Sequence, residues 1–162
     1  MPEDRVVATL LRSLDEAFDR QSWHGPNLRG SIRGLTARQA AWRPGKGRHN
    51  AWEITVHAAY WKYAARRRLT GEKRGRFAFS GSNWFKSPLR PTDAAWKEAV
   101  ALLLSEHRKL RAAIAALGDA DLAKVAPGAR LANERIVRGI AAHDLYHAGQ
   151  VQLLKRLGSR GA

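Results

Sequence analysis

The sequence of 162 residues contains no cysteine, which excludes disulfides, zinc–thiolate sites and a thiol nucleophile of its own. It also has no apolar run of the length needed to span a bilayer. Residues 1–5 are charged and do not have the pattern of a signal peptide. We therefore expect a cytoplasmic protein without membrane segments. No stretch alternates apolar and polar residues as a half-buried strand does, so no β-sheet is expected.

Acidic residues are scarce in one region. Residues 20–92 contain 16 lysines and arginines against only Glu53 and Glu72, an excess of +14, whereas the remainder holds 13 basic and 12 acidic residues. This excess favours an anionic partner, such as nucleic acid, an acidic small molecule or a membrane surface. An arginine-rich composition without any partner explains the charge equally well, because charge alone does not specify a ligand.

Apolar residues recur with helical spacing in four long segments, at about residues 4–22, 51–69, 93–117 and 133–157. Asp4, Asn50 and Thr92 are suited to cap the first three helices. Thr36 and Gln39 have the spacing of a capping box, which predicts a further short helix. Four amphipathic helices predict an all-α fold, a four-helix bundle, in a single domain of residues 1–162.

Long connections separate the first long helix from the second and the second from the third. The second connection, residues 71–90, contains four aromatic residues: Phe77, Phe79, Trp84 and Phe85. A loop of this length in a compact domain is usually functional or a crossover. We expect its aromatic side chains to pack on the bundle, and its length allows the helices that it joins to run parallel.

Three histidines form the main candidate site. His143 and His147 are four residues apart and so share one stripe of the last helix, on its apolar seam. His57 lies on the inward face of the second long helix and is the natural third ligand. Imidazoles suit zinc, nickel, iron and copper. Three protein ligands leave positions open for water or substrate, as in catalytic sites, so a metal-bound water or thiolate would be the reactive species.

The histidine pair alone does not decide between a metal site and packed core histidines. A buried imidazole without a partner costs about 1–3 kcal/mol, so the second interpretation requires hydrogen-bond partners that the apolar seams hardly offer. His107 is interpreted as such a packed core histidine. Asp144 and Gln150 are candidates to orient imidazole N–H groups. The candidate pocket residues are His49, Tyr60, Trp84 and Tyr146.

Residues 49–62 (HNAWEITVHAAYWK) and 139–150 (GIAAHDLYHAGQ) resemble the two signature segments of the DinB-like (damage-inducible) superfamily. The turn at residues 23–26, the loop around Trp84 and the position of Trp96 also fit, so the resemblance covers nearly the whole chain. It implies a four-helix bundle in up-down-down-up order and frequent homodimers. It also implies a divalent metal ion held by three histidines, which correspond here to His57, His143 and His147.

The superfamily is related to enzymes that use mycothiol, bacillithiol or glutathione, including S-transferases and a maleylpyruvate isomerase. Together with the three-histidine site, this predicts a metal-dependent enzyme, a thiol S-transferase or a hydrolase, with zinc or nickel favoured over iron or manganese. A low-molecular-weight thiol would be the co-substrate, and the substrate would be small and anionic or electrophilic.

The alternative function is a basic stress-response protein that binds nucleic acid, with a structural metal. Four aromatic residues are available for base stacking: Trp42, Phe77, Phe79 and Trp84. No helix-turn-helix or RNP motif accompanies them.

Overall fold

The computed structural model describes residues 5–73, 75 and 77–159, and in this part of the chain every regular element is helical. The α-helices are α1 (Arg5–Phe18), α2 (Leu28–Ile32), α3 (Ala37–Ala41), α4 (Ala51–Thr70), α5 (Asp93–Ala115) and α6 (Asn133–Gly158), and a 3₁₀ helix spans Asp119–Asp121. The predicted all-α class is confirmed. None of the helices described is long and apolar enough to cross a membrane.

Three of the four long helices end within two residues of their predicted bounds, and α1 is the exception. Its predicted start at Asp4 lies outside the described residues, and it ends at Phe18 rather than near residue 22. Phe18 is buried, whereas Trp23 is fully exposed, so burial stabilises no further turn. The side-chain amide of Asn27 donates to the carbonyl of Arg20 (2.7 Å) and supports the turn that follows.

The predicted caps are confirmed at α3, α4 and α5. The side chain of Asn50 accepts a hydrogen bond from the backbone N–H of Glu53, and Thr92 does the same for Ala95. Thr36 and Gln39 form the reciprocal capping box of α3. Each cap satisfies an N–H that would otherwise lack a partner in the first helical turn. The start of α4, and with it the level of His57, is therefore defined by local sequence.

The buried apolar residues form two clusters. The first, here called the aromatic cluster, contains Phe18, Trp52, Phe85 and Trp96 together with aliphatic residues of α2, α3, α4, α5 and α6. These are Leu28, Ile32, Ala37, Ala40, Ala51, Ile54, Val56, Ala58, Ala59, Ala99, Leu103, Ala148 and Val151. The second, here called the aliphatic cluster, contains only aliphatic buried residues. Its members are Val7, Leu10, Leu14, Ala17, Ala65, Leu69, Leu110, Ile114, Leu122, Ile136, Val137, Ile140 and Ala141.

The aromatic residues of the 71–90 connection pack onto α4, as predicted. Phe77 contacts Tyr60 (ring centroids 5.3 Å apart), and Phe85 contacts both Phe77 and Tyr60. Phe79 touches Phe77 and Phe85 but is 45% exposed. The connection is thus held against the helix that carries His57.

Candidate metal centre

The structure brings His57, His143 and His147 together, and their potential ligand atoms all lie within 4.8 Å of one another. The Nε2 atom of His143 is 3.1 Å from Nε2 of His57 and 3.1 Å from Nε2 of His147. His57 and His147 are buried and His143 is half-buried. His57 lies on α4 between Val56 and Ala58 of the aromatic cluster, so packing of the helix fixes its position.

The other ring nitrogens define which tautomers are present. Nδ1 of His57 is 2.7 Å from the backbone carbonyl of Asn83, which can only accept, so this nitrogen carries the proton. Nδ1 of His147 is 2.7 Å from Oε1 of Gln150 and is likewise the donor. Both Nε2 atoms therefore direct lone pairs at the same point. A divalent cation fits this donor set, because a cation accepts the converging lone pairs that would otherwise repel one another.

His143 supports the same interpretation. Its Nδ1 atom is buried and has no hydrogen-bond partner among the described residues. A single neutral imidazole proton cannot satisfy Nδ1 and also both contacts made by Nε2. A metal ion bound by the three Nε2 atoms would replace the contacts between them, so Nε2 of His143 would need no proton.

Burial keeps the three imidazoles neutral, which is the form that binds metals. It lowers the pKa of His57 to about 4 and the pKa of His143 to about 3, and repulsion from His147 contributes to both shifts. Burial also lowers the pKa of His147, against the opposing effect of its hydrogen bond with Gln150. At neutral pH no proton competes with a metal ion for these nitrogens.

Trp84 forms one wall of the centre. Its indole stacks on His57 (centroids 3.8 Å apart, planes 9° apart) and, on the other face, on His49 (3.6 Å, 5°). The outer ring of this stack, His49, is 45% exposed, and its Nδ1 is 2.9 Å from Oε2 of Glu53. The stack shields one face of His57 from water.

Glu53 supports the His49–Trp84–His57 stack through its contact with His49. Its buried carboxylate accepts hydrogen bonds from Arg43 and from the backbone N–H of Ser87 as well as contacting His49. Burial opposes ionisation, but these hydrogen bonds outweigh it and lower the pKa of Glu53 to about 2. Glu53 is therefore ionised at neutral pH and ties the end of α3, the start of α4 and the 71–90 connection together.

Asn83 is a site residue that sequence reasoning did not identify. Its backbone has a φ of 68°, in the left-handed region that asparagine tolerates better than most residues. Its carbonyl accepts from His57, and its side-chain oxygen accepts from the indole N–H of Trp61 (2.9 Å). The group that contacts His57 is a backbone carbonyl, so no side-chain motif in the sequence could predict it.

The remaining candidate residues occupy different places. Gln150 orients His147, and Tyr146 is 65% exposed with its ring 5.1 Å from that of His147, at the rim of the centre. Tyr60 packs among Phe77 and Phe85, not against a histidine. His107, as predicted, is a buried core residue, stacked on Phe18 at 3.6 Å.

Asp144 pairs with a lysine rather than with an imidazole. Its Oδ2 accepts a hydrogen bond from Nζ of Lys62 at 2.5 Å, and both side chains are fully buried. Burial raises the pKa of Asp144 and lowers the pKa of Lys62, and the mutual attraction opposes both shifts. The pair joins α4 to α6 beside the histidines. Sequence reasoning did not identify Lys62, because a single lysine on a helix normally reaches solvent.

Comparison with known proteins agrees with this site. A family model described as the DinB superfamily matches residues 8–151, a span that includes all three histidines. No curated protein matches the chain, and no solved structure does.

Proposed function

Because the chain belongs to the DinB superfamily, we propose that it binds a divalent metal ion through His57, His143 and His147 and uses the ion in catalysis. The observation that carries the proposal is the convergence of imidazole Nε2 atoms whose Nδ1 protons are engaged by Asn83 and Gln150. Three neutral nitrogen ligands favour zinc or nickel over the harder cations that prefer oxygen.

The proposed reactions are the transfer of a low-molecular-weight thiol to an electrophile and, second, hydrolysis. His57, His143 and His147 would hold the ion, which would supply a Lewis acid able to lower the pKa of a bound water or thiol. Asn83 and Gln150 keep His57 and His147 in the ligand orientation. Trp84 excludes water from one face, and the exposed Tyr146 lies where a substrate would enter.

The arrangement of the helices also supports the topology that the resemblance implies. The aromatic cluster combines the first half of α4 with the first half of α5 and the second half of α6. The aliphatic cluster combines the second half of α4 with the second half of α5 and the first half of α6. It also contains α1 residues from Val7 to Ala17, whereas Phe18, at the end of α1, belongs to the aromatic cluster. We infer that α4 and α5 run parallel and that α1 and α6 run opposite to them, in an up-down-down-up four-helix bundle.

An activity screen tests the catalytic proposal. Metal-loaded protein is assayed with small thiols plus an aromatic halide, and separately with activated esters, using His147→Ala as the inactive variant and His24→Ala as the matched control. His24 is exposed and does not belong to the histidine cluster. We expect activity in the wild type and His24→Ala and its loss in His147→Ala. A metal-loaded wild type without activity in either assay would contradict the catalytic proposal and leave a structural ion.

Nucleic-acid binding receives less support from the described residues. Trp84 is held between two histidines, and Phe77 packs against Tyr60 and Phe85, so neither ring is free to stack on a base. The homodimer and the cytoplasmic location stay predictions. The excess of positive charge in residues 20–92 still favours an anionic substrate over a cationic one.

A further inference from the structure

A cavity lies away from the three histidines. It has a volume of about 920 Å³ and is formed where the segment joining α2 to α3 meets the last turns of α6. Leu154, which lines it, follows His147 by seven residues, about 10 Å along a helix. None of the three histidines lines this cavity, so it is a separate site.

The charged residues that line this cavity are all basic. They are Arg33, Arg38, Lys155 and Arg156, and no aspartate or glutamate is among the lining residues. Asp93 lies in the adjoining groove with Arg33, and its carboxylate accepts the backbone N–H of Ala37. The cavity therefore has a positive electrostatic potential, which favours an anionic ligand.

Some arginines in the described part of the chain pair with carboxylates, and others, including three that line the cavity, do not. Arg29, Arg111 and Arg138 each pair with a carboxylate on the protein surface. Arg33, Arg38 and Arg156 have no such partner among the described residues. Arg156 stands in the last turn of α6, where a cation also stabilises the helix end, but Arg33 and Arg38 have no comparable role.

The walls of the cavity are built by specific contacts. Nζ of Lys155 donates to the backbone carbonyl of Ser31 (3.0 Å), which fixes α6 against α2. The indole of Trp42 lies so close to Gly158 that a side chain there would come within 3.2 Å of the ring. Glycine at this position thus allows the half-buried Trp42 to form a flat apolar surface beside Leu154.

We propose that this cavity binds a small organic anion with a planar apolar body. The body lies against Trp42 and Leu154, and its phosphate or carboxylate group is held by Arg33, Arg38 and Arg156. Arginine suits this task because its planar guanidinium donates two parallel hydrogen bonds to such a group. Phosphate and carboxylate share this chemistry, and the binding experiment distinguishes them.

The test is isothermal titration of metal-free protein with 1-naphthyl phosphate, 1-naphthoate, the uncharged 1-naphthol and inorganic phosphate. The pocket variant is R38Q/R156Q. The matched control is R135Q/R138Q, which removes the same charge from exposed positions at the other end of α6. Thermal melting shows that both double variants are folded.

We expect one or both naphthyl anions to bind about tenfold or more tightly than 1-naphthol, since hydrogen bonds from a guanidinium to an anionic group are stronger than those to a neutral hydroxyl. The preferred anion identifies the group. R38Q/R156Q is expected to weaken that binding about tenfold, whereas the control weakens it less than about twofold. Trp42→Phe weakens binding of the naphthyl anion but leaves inorganic phosphate unchanged.

Three results would overturn the proposal. Equal losses in the two double variants would mean that only the general positive field of the protein acts. No binding of either naphthyl anion would mean that the cavity does not accept such a ligand. Loss of binding in His147→Ala would place the anion at the histidines instead. If His147→Ala still binds the naphthyl anion and R38Q/R156Q does not, the result supports a separate site, whether or not the histidines hold a metal ion.

Discussion

The aromatic and aliphatic clusters are parts of one helical core, yet they differ in what else they bury. The aliphatic cluster is built from leucine, isoleucine, valine and alanine side chains. The aromatic cluster is bordered by polar residues, among them Asn50, Glu53, Thr55, His57 and His147, all of them buried. Burying polar groups costs free energy unless they are paired. The aliphatic part thus stabilises the fold, and the aromatic part carries the groups that can do chemistry.

Hydrogen bonding within the polar part sharpens the contrast. Glu53, Asn50 and Thr55 have partners within the protein. The three Nε2 atoms of the histidines have only one another. A bound cation would give these three Nε2 atoms a common partner.

The largest expected effect comes from Leu110→Ala in the aliphatic cluster. Leu110 is completely buried, and a leucine-to-alanine change at such a site lowers the free energy of unfolding by about 2–5 kcal/mol. Urea denaturation measures the loss, with the 59% exposed Leu153→Ala as control. Metal content of the folded protein should not change. Loss of metal in Leu110→Ala would contradict the separation of the two parts.

Glu53→Gln tests the polar support of the aromatic part. Glutamine retains the shape but not the charge that Arg43 and His49 contact, so we expect a loss of about 1–3 kcal/mol in the free energy of unfolding. Glu134→Gln, which breaks the exposed pair with Arg138, should change it by less than about 0.5 kcal/mol. Equal effects of the two substitutions would show that the Glu53 network adds nothing to stability.

The pH dependence of stability tests whether His107, which lies between the clusters, is buried in its neutral form. Burial, aided by the nearby charges of Lys62 and Arg111, lowers the pKa of His107 to about 2, against about 6.5 in an unfolded chain. Below pH 6.5 the unfolded chain therefore takes up a proton that the folded protein does not. Stability attributable to neutral His107 is present above pH 6.5 and decreases as the pH falls towards 2.

His107→Leu should remove this contribution while preserving the packing on Phe18. Urea denaturation at pH 7 and pH 5, in the presence of a chelator, compares the variant with the wild type. Between these values the wild type should lose up to about 2 kcal/mol more than the variant, since one proton changes stability by at most about 1.4 kcal/mol per pH unit. Identical losses in the two proteins would contradict a buried neutral His107.

Much of the fold was accessible from the sequence because local signals agree with the global pattern. Apolar spacing identified the four long helices, Asn50 and Thr92 identified the starts of α4 and α5, and the Thr36–Gln39 pair identified the short helix α3. The end of α1 was not accessible, because it depends on where burial stops, at Phe18, rather than on a terminating residue.

The candidate site divides in the same way. His57 could be nominated because it lies on an inward helical face, and the structure places it at the pair formed by His143 and His147. The carbonyl of Asn83 could not be nominated, because its role depends on backbone conformation in a long connection. Asp144 was predicted to orient an imidazole, but it pairs with Lys62. Lys62 lies 82 residues away in the chain, and its burial cannot be predicted from residue spacing.

Metal content is the most direct test of the central claim, that the histidine cluster is a metal centre. Protein stripped with chelator is dialysed against zinc or nickel, freed of excess ion and measured by elemental analysis. We predict about one divalent ion per chain in the wild type and in His24→Ala and almost none in His143→Ala, since three ligands define a single site. A folded wild type that retains no ion, or a His143→Ala variant that retains as much as the wild type, would contradict the claim.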